Sequence, residues 1–385
     1  MRKRLIPFIL CHVPIVVCLI VFSASWQDIE AKRKKTPTAR DSIQLKIDSL
    51  QAVFAKTKTQ YDAENEKAYL KQKYDTAALF RHTHSMFLIA EQLDSIDVKK
   101  NNTSPRYRRK NCELLDAYRR NLYNGGNFFL RKNKNTDALR YYDAYIDCGS
   151  QPLFLSKDYR KVDSLMPQVA FWAVVSASLA KDYNNVLKHS DLAMRWVRQE
   201  QVLQLKANAY KALAADSADA ERQYIATLKQ GFLEYPEYTF FFNQLMEYYN
   251  DREMFDDAMA LCNDALSEKQ IDPSLRKAAL FAKASILLQQ KLWTECISVC
   301  ELLIVADSTF PTPYYYLGMC YYNQAEPLLR KDKKEKKARL NLARKYLETY
   351  KELAPKEKKK WAPLLYKVYY DLNLGKHFKE MDREF

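Results

Sequence analysis

The chain has 385 residues and a formal net charge of +15, with only 6 Gly and 13 Pro. So few turn-forming residues argue against a fold of many short strands, and we expect a largely helical protein, either as two or three compact domains or as one extended array. The charge is concentrated in five basic runs, whereas the rest of the chain is mildly acidic. Because basic residues do not alternate regularly with stacking aromatic residues, we discount nucleic-acid binding. The basic runs lie at residues 2–4, 32–40, 99–110, 330–339 and 356–360.

The amino terminus carries a candidate export signal. A basic segment at residues 2–4 precedes an apolar run at 5–22, and three small residues that suit a cleavage site follow directly. We predict a signal peptide at residues 1–25, followed by a basic linker at 26–40. The alternative is an uncleaved membrane anchor, because the apolar run approaches the length of a membrane span. The expected location is exported, periplasmic or cell-envelope, or membrane-anchored through this segment.

Residues 41–98 are predicted to form helices ahead of the main array. From Ile43 the apolar residues recur at steps of three and four, which places them on one helical face. A helix pair is predicted at residues 63–73 and 74–93, and we interpret this part as a degenerate repeat or a cap. The charged stretch 99–110 is predicted to be an exposed loop.

The sharpest motif lies at residues 313–323 and reads Pro-Tyr-Tyr-Tyr-Leu-Gly-Met-Cys-Tyr-Tyr-Asn. Tyr314, Leu317 and Tyr321 fall on one helical stripe, while Gly318 allows a second helix to approach closely. Such a helix cannot bury its apolar face alone and needs a partner helix and then neighbouring pairs. The spacing aromatic-x2-Leu-Gly-x2-Tyr resembles the first helix of a tetratricopeptide repeat.

Weaker versions of this pattern recur along the chain. The interval from Gly126 to Ala138 equals the interval from Met246 to Ala258, and its length suits two short helices joined by a tight turn. Landmarks of the second helix recur at irregular intervals, at Ala138, Val186, Tyr224, Ala258, Cys296 and Ala343. The resemblance implies an all-α fold, a right-handed α-solenoid of antiparallel helix pairs, over residues 99–385.

The last repeat departs from this spacing. The interval from Gly318 to Ala343 is much longer than in the other repeats, so an additional segment, 325–337, enters between the two helix signatures. This insertion is the most basic part of the helical body. A final helix is predicted over residues 361–378, with Gly375 as its stop.

No motif for catalysis or metal binding occurs in the sequence, which lacks a phosphate-binding glycine loop, a Gly-x-Ser-x-Gly elbow and a His-Glu-x2-His pair. His82 and His84 would point to different faces of a helix, so one metal ion could not readily take both. Cys296 and Cys300 occupy positions where the repeat has small buried residues, and we interpret them as packed thiols rather than a disulfide or ligand pair. We predict no catalytic residue, no metal, no cofactor and no enzyme activity.

The resemblance also implies a binding groove, because first helices line a concave face in this family. By position it implies Arg120, Tyr123, Asn127 and Arg131 in one repeat, Asn243, Glu247 and Asn250 in another, and Tyr315, Met319 and Tyr322 in a third. Amides and aromatic rings together suit a peptide backbone and its apolar side chains. Tyr123 replaces the lysine that chaperone-binding members use to clamp a terminal carboxylate, which argues against that mode. Ordinary solvated helix faces are the competing interpretation.

Together these features predict a non-enzymatic exported scaffold that binds a protein or peptide partner through the concave face. The alternative is a membrane-anchored assembly factor that recruits partners at an anionic membrane, which its basic segments would contact.

Overall fold

The computed structural model describes residues 39–101, 105–267, 270–328 and 332–377. Within these ranges every regular element is a helix and there is no strand. The predicted signal peptide at 1–25 and nearly all of the linker at 26–40 lie outside the described residues. None of the described helices combines the length and the apolar character that crossing a membrane requires.

The α-helices are α1 (Ala39–Tyr69), α2 (Thr76–Asn101), α3 (Arg108–Asp116), α4 (Arg119–Arg131), α5 (Asn135–Asp147), α6 (Tyr159–Val162), α7 (Met166–Leu179), α8 (Tyr183–Ala193), α9 (Gln199–Leu213), α10 (Ala218–Glu234), α11 (Phe240–Asp251), α12 (Phe255–Ser267), α13 (Pro273–Gln289), α14 (Trp293–Ala306), α15 (Thr312–Ala325), α16 (Lys333–Leu353) and α17 (Lys358–Asp371). A 3-10 helix, Pro152–Lys157, precedes α6.

The helices pack as antiparallel pairs in chain order. The pairs are α1/α2, α4/α5, α7/α8, α9/α10, α11/α12, α13/α14 and α15/α16, and from the second pair onward each second helix also packs on the first helix of the next pair. This arrangement confirms the all-α solenoid of helix pairs that the sequence predicted. It places first helices and second helices in two separate layers.

First helices also contact the next first helix, at α7–α9, α11–α13, α13–α15 and α15–α17. Between second helices of the described chain, comparable contact is made only by α2 with α5. The layer whose members approach each other more closely lies on the inside of a curved array. The first helices therefore form the inner layer, and we call their surface that faces away from the second helices the inner face.

A residue with left-handed backbone marks the turn inside each tightly joined pair. Positive φ angles occur in these turns at Lys71, Asn133, Lys181, Glu253 and Lys291. In each case the next N–H donates to the carbonyl five residues earlier, as Met254 does to Tyr249 at 2.8 Å. This is the Schellman arrangement, in which a left-handed residue ends a helix and satisfies its last carbonyl groups.

The amino-terminal helices differ from the prediction. A single helix, α1, replaces the segments predicted near Ile43 and at 63–73, since no Gly or Pro interrupts it. The loop predicted at 99–110 was wrong at both ends, because α2 continues to Asn101 and α3 begins at Arg108. Arg108 donates two hydrogen bonds of 2.8 Å to the buried Asp94 carboxylate, which holds α3 against α2.

The carboxyl-terminal part also differs. The lysines at 333–337 form the first turns of α16, so much of the predicted insertion is helix. The helix predicted to run through 361–378 ends at Asp371, and Gly375 is not its stop, because Asn373 adopts the left-handed conformation and residues 375–377 are helical again. Leu374 N–H donates to the Tyr369 carbonyl at 3.0 Å, so the turn after α17 has the same form as the turns inside the tightly joined pairs.

The connection between α5 and α7 contains the 3-10 helix and α6. Arg119 of α4 holds this connection in place. The Arg119 guanidinium lies 3.8 Å from the ring centroids of both Tyr145 and Tyr159. It donates to Asp163 at 2.6 Å and to the Tyr145 carbonyl at 3.1 Å. Arg119 is only 6% exposed, so this buried cation depends on these contacts for its stability.

Candidate partner-binding face

The left-handed turn residues provide a common register for the first helices. In α4, α7, α11 and α13 the residue seven positions before the left-handed residue is buried, at Gly126, Val174, Met246 and Ala284. The residue that follows it in each of these helices is half-buried or exposed. This register places Asn127 and Glu247, both predicted from the sequence, at equivalent positions of α4 and α11.

In α4 the predicted residues are partly engaged with the second helix. The ring of Tyr123 is half-buried, 6.2 Å from the ring of Tyr142, and Asn127 Oδ1 accepts a hydrogen bond of 2.7 Å from the Tyr142 hydroxyl. The Arg120 guanidinium lies 5.6 Å from the centre of the Tyr123 ring, whereas Arg131 is exposed. The hydrogen bond from Tyr142 thus occupies the amide oxygen of Asn127.

A cavity of about 540 Å³ adjoins this part of α4. Its apolar wall comes from Phe80 and Phe128, whose ring centroids are 5.5 Å apart. The Lys132 ammonium lies 4.4 Å from the centre of the Phe128 ring. The full lining is Thr76, Phe80, Asn124, Asn127, Phe128, Arg131 and Lys132, in which both charged residues are cations.

In α11 the predicted Asn243, Glu247 and Asn250 are all exposed on one stripe. Glu247 accepts from Lys211 Nζ of α9 at 3.2 Å and from Gln244 Nε2 at 2.8 Å. This contact links two consecutive first helices across the inner face. A second cavity, of about 290 Å³, lies beside it and includes Lys211 and Glu247 in its lining.

In α15 the predicted residues are less exposed than those of α11. The Tyr315 ring lies 5.1 Å from the ring of Tyr350 on α16, and Met319 and Tyr322 are half-buried. Burial, and then the nearby charge of the Asp371 carboxylate, raises the pKa of Tyr322. Each of these three side chains therefore exposes only part of its surface.

The ten predicted residues do not converge in one pocket, because α7, α9 and α13 lie between their helices. Sequence reasoning missed the residues that join the three groups, including Lys211 on α9 and Phe281 on α13. The Phe281 ring stacks on Tyr316 of α15 at 6.2 Å, and Ser285 Oγ lies 3.2 Å from the Tyr316 hydroxyl. The signal that would have found Ser285 is its position directly after the buried Ala284.

Other cavities and polar clusters lie away from the inner face. An apolar cavity of about 920 Å³ is formed by α10, α12 and the start of α13, with Phe232, Leu233, Pro236, Ile271 and Pro273 among its lining residues. Within the described ranges, no three His, Cys, Asp or Glu side chains are arranged to hold a metal ion. His84 packs against Tyr141 with ring centroids 5.1 Å apart, and burial lowers its pKa to about 4.

Cys296 and Cys300 are packed as predicted. Both are fully buried free thiols with their sulfur atoms 3.9 Å apart, and Cys320 of α15 is buried in the same cluster. The contact with Cys296, together with burial, raises the pKa of the Cys300 thiol. The structure confirms that these thiols fill the interface between helices.

No family model matches this chain, and no curated protein matches it. Solved structures that resemble it include the following two. A TPR repeats protein from Bacteroides fragilis is 17% identical, with 66% of this chain and 98% of that chain covered and a TM-score of 0.30. The human IFIT1 dimer with PPP-AAAA is 12% identical, with 84% of this chain and 70% of that chain covered and a TM-score of 0.34.

Both TM-scores lie below 0.5, and we draw nothing about function from either structure. The paired helices, their Schellman turns and the close contact between helices at Gly126 and Gly318 decide the fold. The fold is tetratricopeptide-like. Its inner layer of first helices is the surface on which a helical repeat protein of this type holds a ligand.

Proposed function

We propose that this chain is a non-enzymatic scaffold whose inner face binds an extended segment of a protein partner. The observation that carries the proposal is the direct contact between consecutive first helices from α11 to α17, which sets their exposed stripes side by side. A row of helices in contact offers one long surface, and long surfaces suit chain-like ligands better than small substrates.

The chemistry of the face supports a peptide ligand. Beside α4, the amides of Asn124 and Asn127 can hydrogen-bond to a peptide backbone, while Phe80 and Phe128 provide an apolar wall for one of its side chains. Arg131 and Lys132 give the rim of this cavity a positive charge. Among the described residues of the inner face, no nucleophile, base and oxyanion donor converge in a closed cavity, and we therefore propose binding rather than catalysis.

We further propose that the protein is exported, supported by the basic and apolar pattern of residues 1–25. In the alternative form the same segment remains as an anchor, and the exposed lysines at the start of α16 contact an anionic membrane. Mass analysis of the mature amino terminus separates the two forms. A start near Trp26 supports export with cleavage, and an intact start at Met1 supports the anchor.

Affinity purification of the tagged full-length chain from its own cells tests the binding proposal. The variant Arg131→Glu/Lys132→Glu reverses two exposed charges at the inner face, and Arg109→Glu/Lys110→Glu makes the same change on α3. We expect the recovered partner to fall at least tenfold with the first variant and to remain with the second. Equal recovery of the same proteins with both variants would show that this face is not the binding surface.

A further inference from the structure

We propose that the cavity of about 290 Å³ between α9, α10 and α11 binds a primary ammonium group of the partner, from a lysine side chain or from a free amino terminus. This inference rests on the proposed function and names one chemical feature of the ligand. The cavity is lined by Lys211, Ala214, Ala215, Glu221, Tyr224, Glu247, Tyr248, Asp251 and Arg252. Its volume is at the lower limit of about 300 Å³ for small-molecule sites, which suits a single side chain or a chain end.

The charges of the lining leave one carboxylate without a partner. Lys211 Nζ lies 3.2 Å from Glu247, and Arg252 donates to Glu221, so these two cations are balanced by two acids. Asp251 forms no ion pair with any residue that the structure describes. The cavity therefore carries a net negative charge at Asp251, which an incoming cation would neutralise.

Asp251 is an exposed residue at the end of a helix, where an acidic side chain is less favourable than a basic one. Asp251 is the last residue of α11, where the unpaired carbonyl groups of a helix already create a negative potential. Acidic residues stabilise helix starts and destabilise helix ends. A bound ammonium group would interact favourably with both the carboxylate and the end of the helix. Local rules of this kind are broken most often at functional sites.

Two tyrosines supply the walls that a cation prefers. Tyr224 is 5% exposed and donates to Gln244 Oε1 at 3.1 Å, and Tyr248 donates to Glu221 at 3.2 Å. The Arg252 guanidinium lies 3.9 Å from the centre of the Tyr248 ring, and the Lys211 ammonium lies 5.9 Å from the centre of the Tyr224 ring. Both aromatic faces of this cavity thus already lie against a cation of the chain. Burial raises the pKa of Tyr224 to about 12, so its hydroxyl remains neutral at physiological pH.

Ligand-observed NMR with the full-length protein tests the inference, using three small probes. N-acetyl-lysine amide carries only the side-chain ammonium, alaninamide carries only the terminal ammonium, and N-acetyl-norleucine amide carries neither. We expect at least one of the charged probes to bind and the norleucine probe to show at least tenfold weaker binding. Binding of the lysine probe alone identifies a side chain as the ligand, and binding of alaninamide alone identifies a chain end.

The variant Asp251→Asn should weaken the binding of the charged probe at least tenfold, whereas Asp257→Asn, an exposed acid on α12 outside the cavity, should change it less than twofold. Equal affinity of Asp251→Asn and the unsubstituted protein, or equal binding of all three probes, overturns the inference. This outcome is distinct from failure of the proposed function, which is measured by partner capture at Arg131 and Lys132.

Discussion

Gly126 of α4 lies directly against the ring of Tyr142 on α5, so that a Cβ atom at position 126 would come within 2.3 Å of Tyr142 Cε1. The ring has no room to move away, because Tyr142 is fully buried and its hydroxyl donates a hydrogen bond to Asn127. We expect Gly126→Ala to lower the free energy of unfolding by about 2–3 kcal/mol, since α4 and α5 must separate. Urea unfolding followed by circular dichroism measures the change.

Gly375→Ala is the matched control, because no atom of the described residues lies within 4 Å of a Cβ atom at that position. It should change the free energy of unfolding by less than about 0.5 kcal/mol. If Gly126→Ala were as stable as this control, the close approach of α4 and α5 would not be a feature of the folded protein.

A second prediction concerns the turn between α11 and α12. Glu253 has a φ of 55°, a conformation that costs a residue with a side chain about 1 kcal/mol. Glu253→Gly removes this cost but increases the entropy of the unfolded chain, so we expect a net stabilisation of about 0.5 kcal/mol. Glu301→Gly, the same change at an exposed position inside α14, should instead destabilise by about 1 kcal/mol. Thermal unfolding checks the prediction. A rise of the midpoint temperature for Glu253→Gly and a fall for Glu301→Gly confirm it, and a fall for both variants contradicts it.

A third prediction concerns pH. Burial, and then the nearby Asp147 carboxylate, raises the pKa of Glu91 from 4.5 to about 7. The folded protein therefore holds this proton more tightly than the unfolded chain, and stability falls as the pH rises from about 4.5 to about 7. The side chain of Glu91→Gln cannot lose a proton. We therefore expect the free energy of unfolding of this variant to be higher than that of the unsubstituted protein by on the order of 2 kcal/mol at pH 8, and equal to it near pH 4.

His84 provides a control of opposite sign. Burial, and then the charge of Arg140, lowers its pKa from 6.5 to about 4, so the folded protein disfavours the charged imidazole. The stability that His84 contributes is complete above pH 6.5 and is lost as the pH falls toward 4. His84→Gln should therefore gain relative stability on acidification, whereas Glu91→Gln gains on alkalinisation. Parallel pH profiles for the two variants would contradict both assignments.

A fourth prediction concerns Arg119, whose buried guanidinium lies between two tyrosine rings. Arg119→Ala leaves Asp163, whose side chain is 12% exposed, without its cation, and we expect a loss of about 3–5 kcal/mol. Arg119→Lys should recover little of this loss, because an ammonium group cannot stack on both rings and bond to Asp163 at the same time.

Arg109→Ala is the control. It removes a 91% exposed partner of Glu113 and should lower the free energy of unfolding by less than about 1 kcal/mol. If urea unfolding gave an equal loss of the free energy of unfolding for both alanine variants, Arg119 would not hold the connection between α5 and α7 in place.

The helix pairs could be predicted from the sequence where the interval between the landmark residues of two helices allowed only one arrangement. The short interval between Gly126 and Ala138 accommodates two helical stripes and a single tight turn, and α4 and α5 follow it closely. Three of the turns gave no compositional signal, because Lys181, Glu253 and Lys291 adopt a conformation that sequence rules assign to Gly or Asn, whereas Asn133 follows those rules. Their conformation follows from the helices packed on either side.

The candidate site was predictable only one helix at a time. Periodicity identifies which side of α11 is exposed, but it cannot show that Glu247 meets Lys211, which lies 36 residues earlier in the chain. The residue that meets each glycine was also not predicted. Gly318 packs against Leu347, four residues after Ala343, just as Gly126 packs against Tyr142, four residues after Ala138, so the additional turns of α16 leave this register unchanged.

The zigzag of contacts along the chain has a mechanical consequence. In the part of the chain that the structure describes, each helix pair packs mainly on the pair before it and the pair after it, so strain at one junction passes to the next one rather than to a common core. Small rotations at successive junctions would then add up and change the length of the inner face. A partner that contacts several helix pairs at once would fix that length.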